Sequence, residues 1–222
     1  MGSIIRSIAN NITTSGVLLP AAINNTTVSL ITALSQVEAG GAYTLITTST
    51  ASNSANISFT SGINSTYPIY KFEWTDCHPA TDNVKLGFNG SLDGGSSFAV
   101  TKTSTVFNAY HDEAGSSTSL GYRSGEDTES STAYQFFQSN YGGGADECGV
   151  GELWLFSPSE ATNFNTNYFS RTHNYHAANY SIDCYTGGYF HTTDNIDAID
   201  FKMSSGNIET GTFKMYGVTL GS

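Results

Sequence analysis

What most constrains this chain is a period of two that recurs in short runs and never gives way to a sustained helical period. The end of the sequence shows it best. In Ile196-Asp197-Ala198-Ile199-Asp200-Phe201-Lys202-Met203, the side chains of Ile199, Phe201 and Met203 share one face. In Thr212-Phe213-Lys214-Met215-Tyr216-Gly217-Val218, Phe213 and Met215 share a face opposite Lys214 and Tyr216. A polar, Gly-containing connection from Ser204 to Gly211 separates the two runs. This pattern predicts a closing β-hairpin.

The same period appears upstream. Ala42 to Thr48 and Ala55 to Thr60 are short and β-branched. Tyr70, Phe72 and Trp74 fall on one face of Tyr67–Thr75, with Lys71 and Glu73 on the other. Val84 to Leu92 aligns Val84, Leu86, Phe88 and Leu92. Asp93-Gly94-Gly95 then reads as a turn into Phe98–Phe107, a second hairpin. Ala133–Gln138, Val150–Ser157, Asn167–Thr172 and Gly187–His191 complete the set. Closely spaced strands without helices indicate an all-β, two-sheet antiparallel β-sandwich over residues 37–222. Tyr70, Phe72, Trp74, Phe88, Leu153, Leu155, Phe201, Phe213 and Met215 are its expected core.

Residues 1–36 differ. They contain no aromatic residue, and aliphatic anchors (Ile4, Ile5, Ile8, Val17, Leu18, Leu19, Leu30, Ile31) punctuate polar Asn/Thr segments. Such a segment is expected to be an attachment arm that orders against a partner surface.

Composition narrows the partners. Only 12% of the 222 residues are charged, yet the net charge is -11. With no basic cluster, the chain repels phosphate backbones, so nucleic acid is not an expected partner. No apolar run reaches the roughly 20 residues of a membrane helix, so no membrane is expected either. Asn10, Asn11 and Thr13 interrupt any signal-peptide core, and Arg6 stands where a myristoylation motif wants Ser or Thr. Cys77, Cys148 and Cys184 are an odd, widely spaced set. They read as buried thiols and not as a disulfide framework.

Three connections are long enough to carry binding: Asn108–Ser131, Ser139–Gly149, and Ser157–Asn165 with its neighbour Asn174–Tyr185. Tyr110, His111, Asp112, Glu113, Tyr141 and Tyr175 in or beside them form the candidate binding patch. Tyr suits sugar faces and protein interfaces alike. Glu113 and Asp112, with Asp146-Glu147, are oxygen donors of the kind Ca²⁺ takes. They lack the dense Asp/Asn spacing of a calcium loop, so surface charge is the stronger reading and no cofactor is expected. His173, His176 and Cys184 do not make a zinc set, because a spacing of three does not place both rings on one strand face. Asp127 and Glu129 are the only pair suggesting a glycosidase. Their Ser/Gly/Thr flanks offer no apolar wall to divide acid and nucleophile roles, so no catalytic residue is expected. No phosphate-binding or nucleophile-elbow motif occurs.

Several phrases carry a family resemblance: His78-Pro79-Ala80-Thr81-Asp82-Asn83-Val84, Ser91-Leu92-Asp93-Gly94-Gly95, Phe107-Asn108-Ala109-Tyr110-His111-Asp112-Glu113-Ala114, Ser131-Thr132-Ala133-Tyr134-Gln135 and Gly151-Glu152-Leu153-Trp154-Leu155-Phe156-Ser157-Pro158. In wording and order, with the closing runs, the chain from about residue 41 resembles jelly-roll, concanavalin A-like virion structural proteins of marine bacteriophages, notably cyanophages. The opening Ser7–Gly16 is similar to the leader of such proteins. The resemblance implies a jelly roll and membership of the virion, and transfers no active site. It implies a non-enzymatic protein made in the host cytoplasm and displayed on the particle surface. Capsid decoration, head fibre or short tail appendage are the roles it suggests. Residues 1–36 would bind other capsid or tail proteins, and fold-level analogy suggests a homotrimer. The alternative is a carbohydrate-binding host-attachment module of a tail fibre, whose loops recognise a host surface glycan.

Overall fold

A computed structural model describes residues 43–137, 140–159 and 164–219. The expected arm, residues 1–36, lies outside the described residues. The described chain is all-β, with twelve strands and no helix. Nothing among these residues is therefore a helix long and apolar enough to cross a membrane.

The strands are β1 (Tyr43–Ser54), β2 (Ile57–Phe59), β3 (Ile69–Pro79), β4 (Leu86–Ser91), β5 (Lys102–Asp112), β6 (Thr118–Tyr122), β7 (Gln135–Phe136), β8 (Gly149–Phe156), β9 (Asn167–His176), β10 (Tyr180–Phe190), β11 (Ala198–Met203) and β12 (Ile208–Val218). They form two antiparallel sheets. The eight-stranded sheet runs β1-β12-β3-β8-β9-β10-β5-β6, and the four-stranded sheet runs β2-β11-β4-β7. This is the expected two-sheet antiparallel sandwich.

The expected core residues are all buried. Phe201 of the small sheet sits among Phe59, Phe72, Trp74, Phe137 and Phe213, with ring centroids 5.5–6.3 Å away. Those spacings suit edge-on and offset aromatic packing. Phe88 stacks on Phe137 at 5.1 Å.

Both predicted hairpins are something else. β11 pairs with β2 and β4, whereas β12 pairs with β1 and β3. The final two runs thus lie in opposite sheets, and Phe201 meets Phe213 across the interior at 5.5 Å. An alternating pattern assigns an inward face but does not distinguish a neighbour in the same sheet from one across the core. Likewise Asp93-Gly94-Gly95 does turn, with positive φ at both glycines. It leads away from β4 in the small sheet to β5 in the large one. Residues 92–101 are the crossover.

Leu92 does not join Val84, Leu86 and Phe88 inside; it is 42% exposed. Gly90 takes the next inward position, where an added Cβ would come within 3.1 Å of the Phe190 ring. β4 then ends at Ser91, whose hydroxyl is bonded to Asp93.

Two of the expected long loops contain substantial strand. β9 and β10 are a hairpin closed around residues 177–179, so Asn174 and Cys184 lie on strands. β5 continues to Asp112 and pairs with β6, so Tyr110, His111 and Asp112 are strand residues too. All three cysteines are free thiols. Cys77 and Cys184 are buried as expected, and burial raises both pKa values, that of Cys184 to about 12. Cys148 is only part-buried.

Candidate functional site

The outward face of the eight-stranded sheet carries the densest arrangement of recognition groups. Strand register aligns it in rows. One row is Leu45, Tyr216, Lys71, Trp154 and Phe169. The next is Lys214, Glu73, Glu152, Arg171, Tyr185, Phe107 and Tyr122. A third is Val150, His173, Asp183, Ala109 and Leu120. A fourth is Tyr175, Ser181, His111 and Thr118. Cross-strand neighbours on one face lie within side-chain contact, so each row acts as a continuous strip.

Two aromatic groups bracket the charged centre. Trp154 stacks on Phe169 at 5.8 Å, and Phe169 meets Phe156 at 5.3 Å. On the other side Phe107 and Tyr185 stack nearly parallel at 5.1 Å. Phe107 and Phe169 are each 45% exposed and Tyr122 58%. These rings are held at a surface where their faces stay partly wet.

The charges between them are paired. Lys71 Nζ lies 2.5 Å from Glu73 and 2.9 Å from Glu152, and 5.0 Å from the Trp154 ring centroid. Desolvation lowers the Lys71 pKa, but its two carboxylate partners outweigh this and hold it above the usual value. Arg171 donates through Nε and one terminal nitrogen to both oxygens of Asp183, at 3.1 and 2.9 Å. Its guanidinium lies 5.3 Å from the Tyr185 ring. The Asp183 hydrogen bond and charge raise the Arg171 pKa. His173 Nε2 is 2.9 Å from Ser181 Oγ. Glu73, Glu152, Arg171, His173 and Asp183 line a hollow of about 660 Å³ with Val150 as an apolar wall.

Only part of the expected loop patch comes together. His111, Asp112, Glu113 and Tyr175 border a smaller hollow of about 290 Å³ with His173 and Ser181, continuous with the fourth row. Tyr175 donates to Glu113 at 2.8 Å, and this bond, reinforced by Asp146 and Glu147, raises its pKa to about 12. Asp112 has a structural task. Its carboxylate accepts the backbone N–H of Ser116 and Ser117 and the Ser116 hydroxyl, closing the β5–β6 turn. These hydrogen bonds, Ser116 foremost, lower its pKa. Tyr110 instead borders a separate 190 Å³ depression with Arg123, His176 and Tyr180.

Tyr141 is a correction. It is fully buried in the core and bridges Val84 and His176, so it presents no surface to a ligand. Its position within an expected long loop concealed this, because a loop residue bridged to Val84 and to β9 looks locally like any exposed Tyr.

The acidic stretch 126–129 does not make a carboxylate pair in a cleft. Glu126 is buried against Lys85 and Arg123, at 3.1 and 3.4 Å. Asp127 accepts the Tyr122 hydroxyl at 2.6 Å, and Glu129 is exposed. Among the described residues, no group of three or more His, Cys, Asp or Glu is placed to hold a metal ion.

Sequence reasoning missed Trp154, Phe169, Arg171, Asp183, Phe107 and Tyr185 as a group. The available signal was their outward parity in otherwise alternating strands. No protein-family model, curated protein or solved structure matches this chain.

Proposed function

We propose that this is a non-enzymatic structural protein of a bacteriophage particle. In this reading residues 1–36 attach it to capsid or tail proteins, and the sandwich is displayed outward as a capsid decoration, head fibre or short tail appendage. The resemblance in wording and order supports the virion assignment. The all-β sandwich supports it to the extent that such a scaffold suits display.

One observation supports a binding role at the surface: the aromatic strips flanking the 660 Å³ hollow on the outer face of the large sheet. Exposed rings offer stacking surfaces for the C–H faces of a sugar. Bidentate Arg171–Asp183 and the Lys71–Glu73–Glu152 group offer fixed donors and acceptors for its hydroxyls. Lysine, arginine and carboxylate charges there nearly balance, which suits a neutral host glycan. Hydrolysis is the weaker reading. Glu73 and Glu152 are each about a third exposed and tied to Lys71, and a general acid needs a desolvated apolar wall.

Self-association fits the same picture. The edge strands β1 and β6 of the large sheet contain no charged residue and no Pro, two of the features that discourage edge-to-edge pairing. A homotrimer in the particle is the assembly we favour.

The test has two parts. Cryo-electron microscopy of the purified particle should show the sandwich at its surface; its absence from particles overturns the virion reading. A glycan array should show binding that Trp154→Ala and Phe107→Ala each reduce at least tenfold. Binding unchanged by both substitutions would move the contact to another surface.

A further inference from the structure

Lys102 is the least expected side chain in the molecule: a lysine at the start of β5 with no solvent exposure. Its Nζ lies 2.9 Å from Asn89 Oδ1, 3.2 Å from Val100 O and 2.5 Å from Ala133 O. Asn89, in β4, is equally buried. Its amide is fixed on every side. Nδ2 donates to Phe98 O at 2.8 Å and Thr132 O at 2.9 Å, and Oδ1 also accepts the Gly90 N–H at 2.9 Å. The Lys102 backbone is held as well, by reciprocal 3.0 Å bonds with Ser131. An amine and an amide oxygen are therefore kept in hydrogen-bond contact, with the amide carbon one bond beyond, away from water and on strands of different sheets.

We propose that Lys102 and Asn89 join in an intramolecular isopeptide bond that staples the two sheets of the sandwich.

The contact geometry suits the reaction. A buried ammonium needs three acceptors, and it has three. Desolvation lowers the Lys102 pKa to about 7, so a substantial fraction is neutral near that pH. The neutral amine keeps its two N–H groups on Val100 O and Ala133 O. Its lone pair then replaces the third hydrogen and faces the Asn89 amide. Holding the amine against the amide makes the attack intramolecular and lowers its entropic barrier.

The bonds balance without any co-reactant. Nζ attacks Cγ, and the carbonyl electron pair moves onto Oδ1. The Gly90 N–H is already aimed at that oxygen and holds the oxyanion. When the carbonyl re-forms, the Cγ–Nδ2 bond breaks. A proton from Nζ passes to Nδ2, which leaves as ammonia. Asp200 is paired with Asn89 across β4–β11, but its carboxylate accepts from Asn56, Ser58 and Tyr134, so the transfer from Nζ to Nδ2 is direct. The products are a secondary amide and one ammonia.

The decisive measurement is the intact mass of the full-length protein under denaturing conditions, followed by proteolysis. After incubation above pH 7, the wild type should weigh one ammonia less than its sequence. Digestion should yield a branched peptide joining the segment around Asn89 to the one around Lys102. Lys102→Met should retain the full sequence mass, and Asn89→Asp should lose one water in place of ammonia. A wild type at full sequence mass after prolonged incubation overturns the proposal. So does an ammonia loss that persists in Lys102→Met, because Asn89-Gly90 would then have closed on itself as a succinimide. If Lys102→Met does not fold, the wild-type digest decides alone: a linear Asn89 peptide overturns the proposal and a branched one establishes it.

Discussion

The interior of the sandwich has two unlike halves. Beneath β12, β3 and β8 it is aromatic and aliphatic: Phe213, Met215, Tyr70, Phe72, Trp74, Leu153 and Leu155 pack on Phe201, Phe88 and Phe137. Beneath β9, β10 and β5 it is far richer in polar groups, with Ser170, Thr172, Asn174, Thr186, Ser104 and Asn108 buried among Tyr168, Ile182, Cys184, Phe190 and Val106. The first half is roofed by strands of the small sheet. The second is roofed in part by the connection through residues 126–134 and the short β7 at the sheet's end, which bring Glu126, Thr128 and Gln135 inward. Gln135 accepts from Ser104 and Thr128 through Oε1 and donates to Glu126 O and Phe136 O through Nε2. A strand satisfies its own backbone in a ladder, so it can present apolar side chains. An irregular connection leaves backbone groups that side chains must satisfy, so its contact surface is polar. The aromatic half resists mutation through volume, the polar half through direction.

That contrast predicts a graded set of responses. Phe201→Ala should have the largest effect, roughly 3–5 kcal/mol in chemical denaturation, because it opens a cavity at the centre of the aromatic half. A loss below about 1 kcal/mol would mean that the neighbouring rings collapse to fill it.

Lys102 should make the polar half pH-sensitive wherever its amine remains free. Its pKa is about 7 when folded against 10.5 for a free lysine side chain. Between those values the unfolded chain binds more protons, so stability rises with pH across that window. Below about pH 7 the amine is charged in both states and the added stability is gone. Where Asn89 is removed, Val100 O and Ala133 O still accept from the amine and offset part of the desolvation, so the span should be about 2–4 kcal/mol. Asn89→Ala, which retains the amine without its amide partner, should show this slope in urea melts at pH 7 and pH 10. The double variant with Lys102→Met should not.

Gln135→Ala should cost about 1–3 kcal/mol, since it leaves buried donors and acceptors unpaired. Gln135→Glu is a sharper probe, because it keeps the volume but removes the donor to Glu126 O and Phe136 O. Similar losses in both would tie the polar half to direction and not to filling.

The smallest effect on stability belongs to the outer face. Arg171→Ala breaks an exposed ion pair and should change stability by less than about 1 kcal/mol. Its effect on glycan binding should be far larger than that. Equal, small effects on both would remove Arg171 from the binding face.

Much of this was legible from residue order. Tyr70, Phe72 and Trp74 pointed inward, and Lys71 and Glu73 outward, because neighbours on a strand alternate. Asp93-Gly94-Gly95 turned because glycine accepts positive φ. The core half of the fold was legible for the same reason. The candidate binding face was not. Lys71, Trp154 and Phe169 are far apart in sequence and become one strip only through the β3–β8 and β8–β9 registers. Tyr141 looked like a ligand-facing loop residue until its bridges to Val84 and His176 placed it inside.

The sequence by itself determined that this chain is built of strands, which side of each strand is apolar, and where several turns occur. These are local properties, set by side-chain alternation and backbone sterics. Only the tertiary structure decided which sheet each strand joins. β11 and β12, and β4 and β5, are neighbours in sequence with compatible alternating faces, and either pair would make a plausible hairpin. For β11 and β12 the split lets Phe201 and Phe213 bury against each other through the core and not side by side along one surface. That choice is made by all the strands together. It also assembled the aromatic rows on the outer face and brought Lys102 against Asn89.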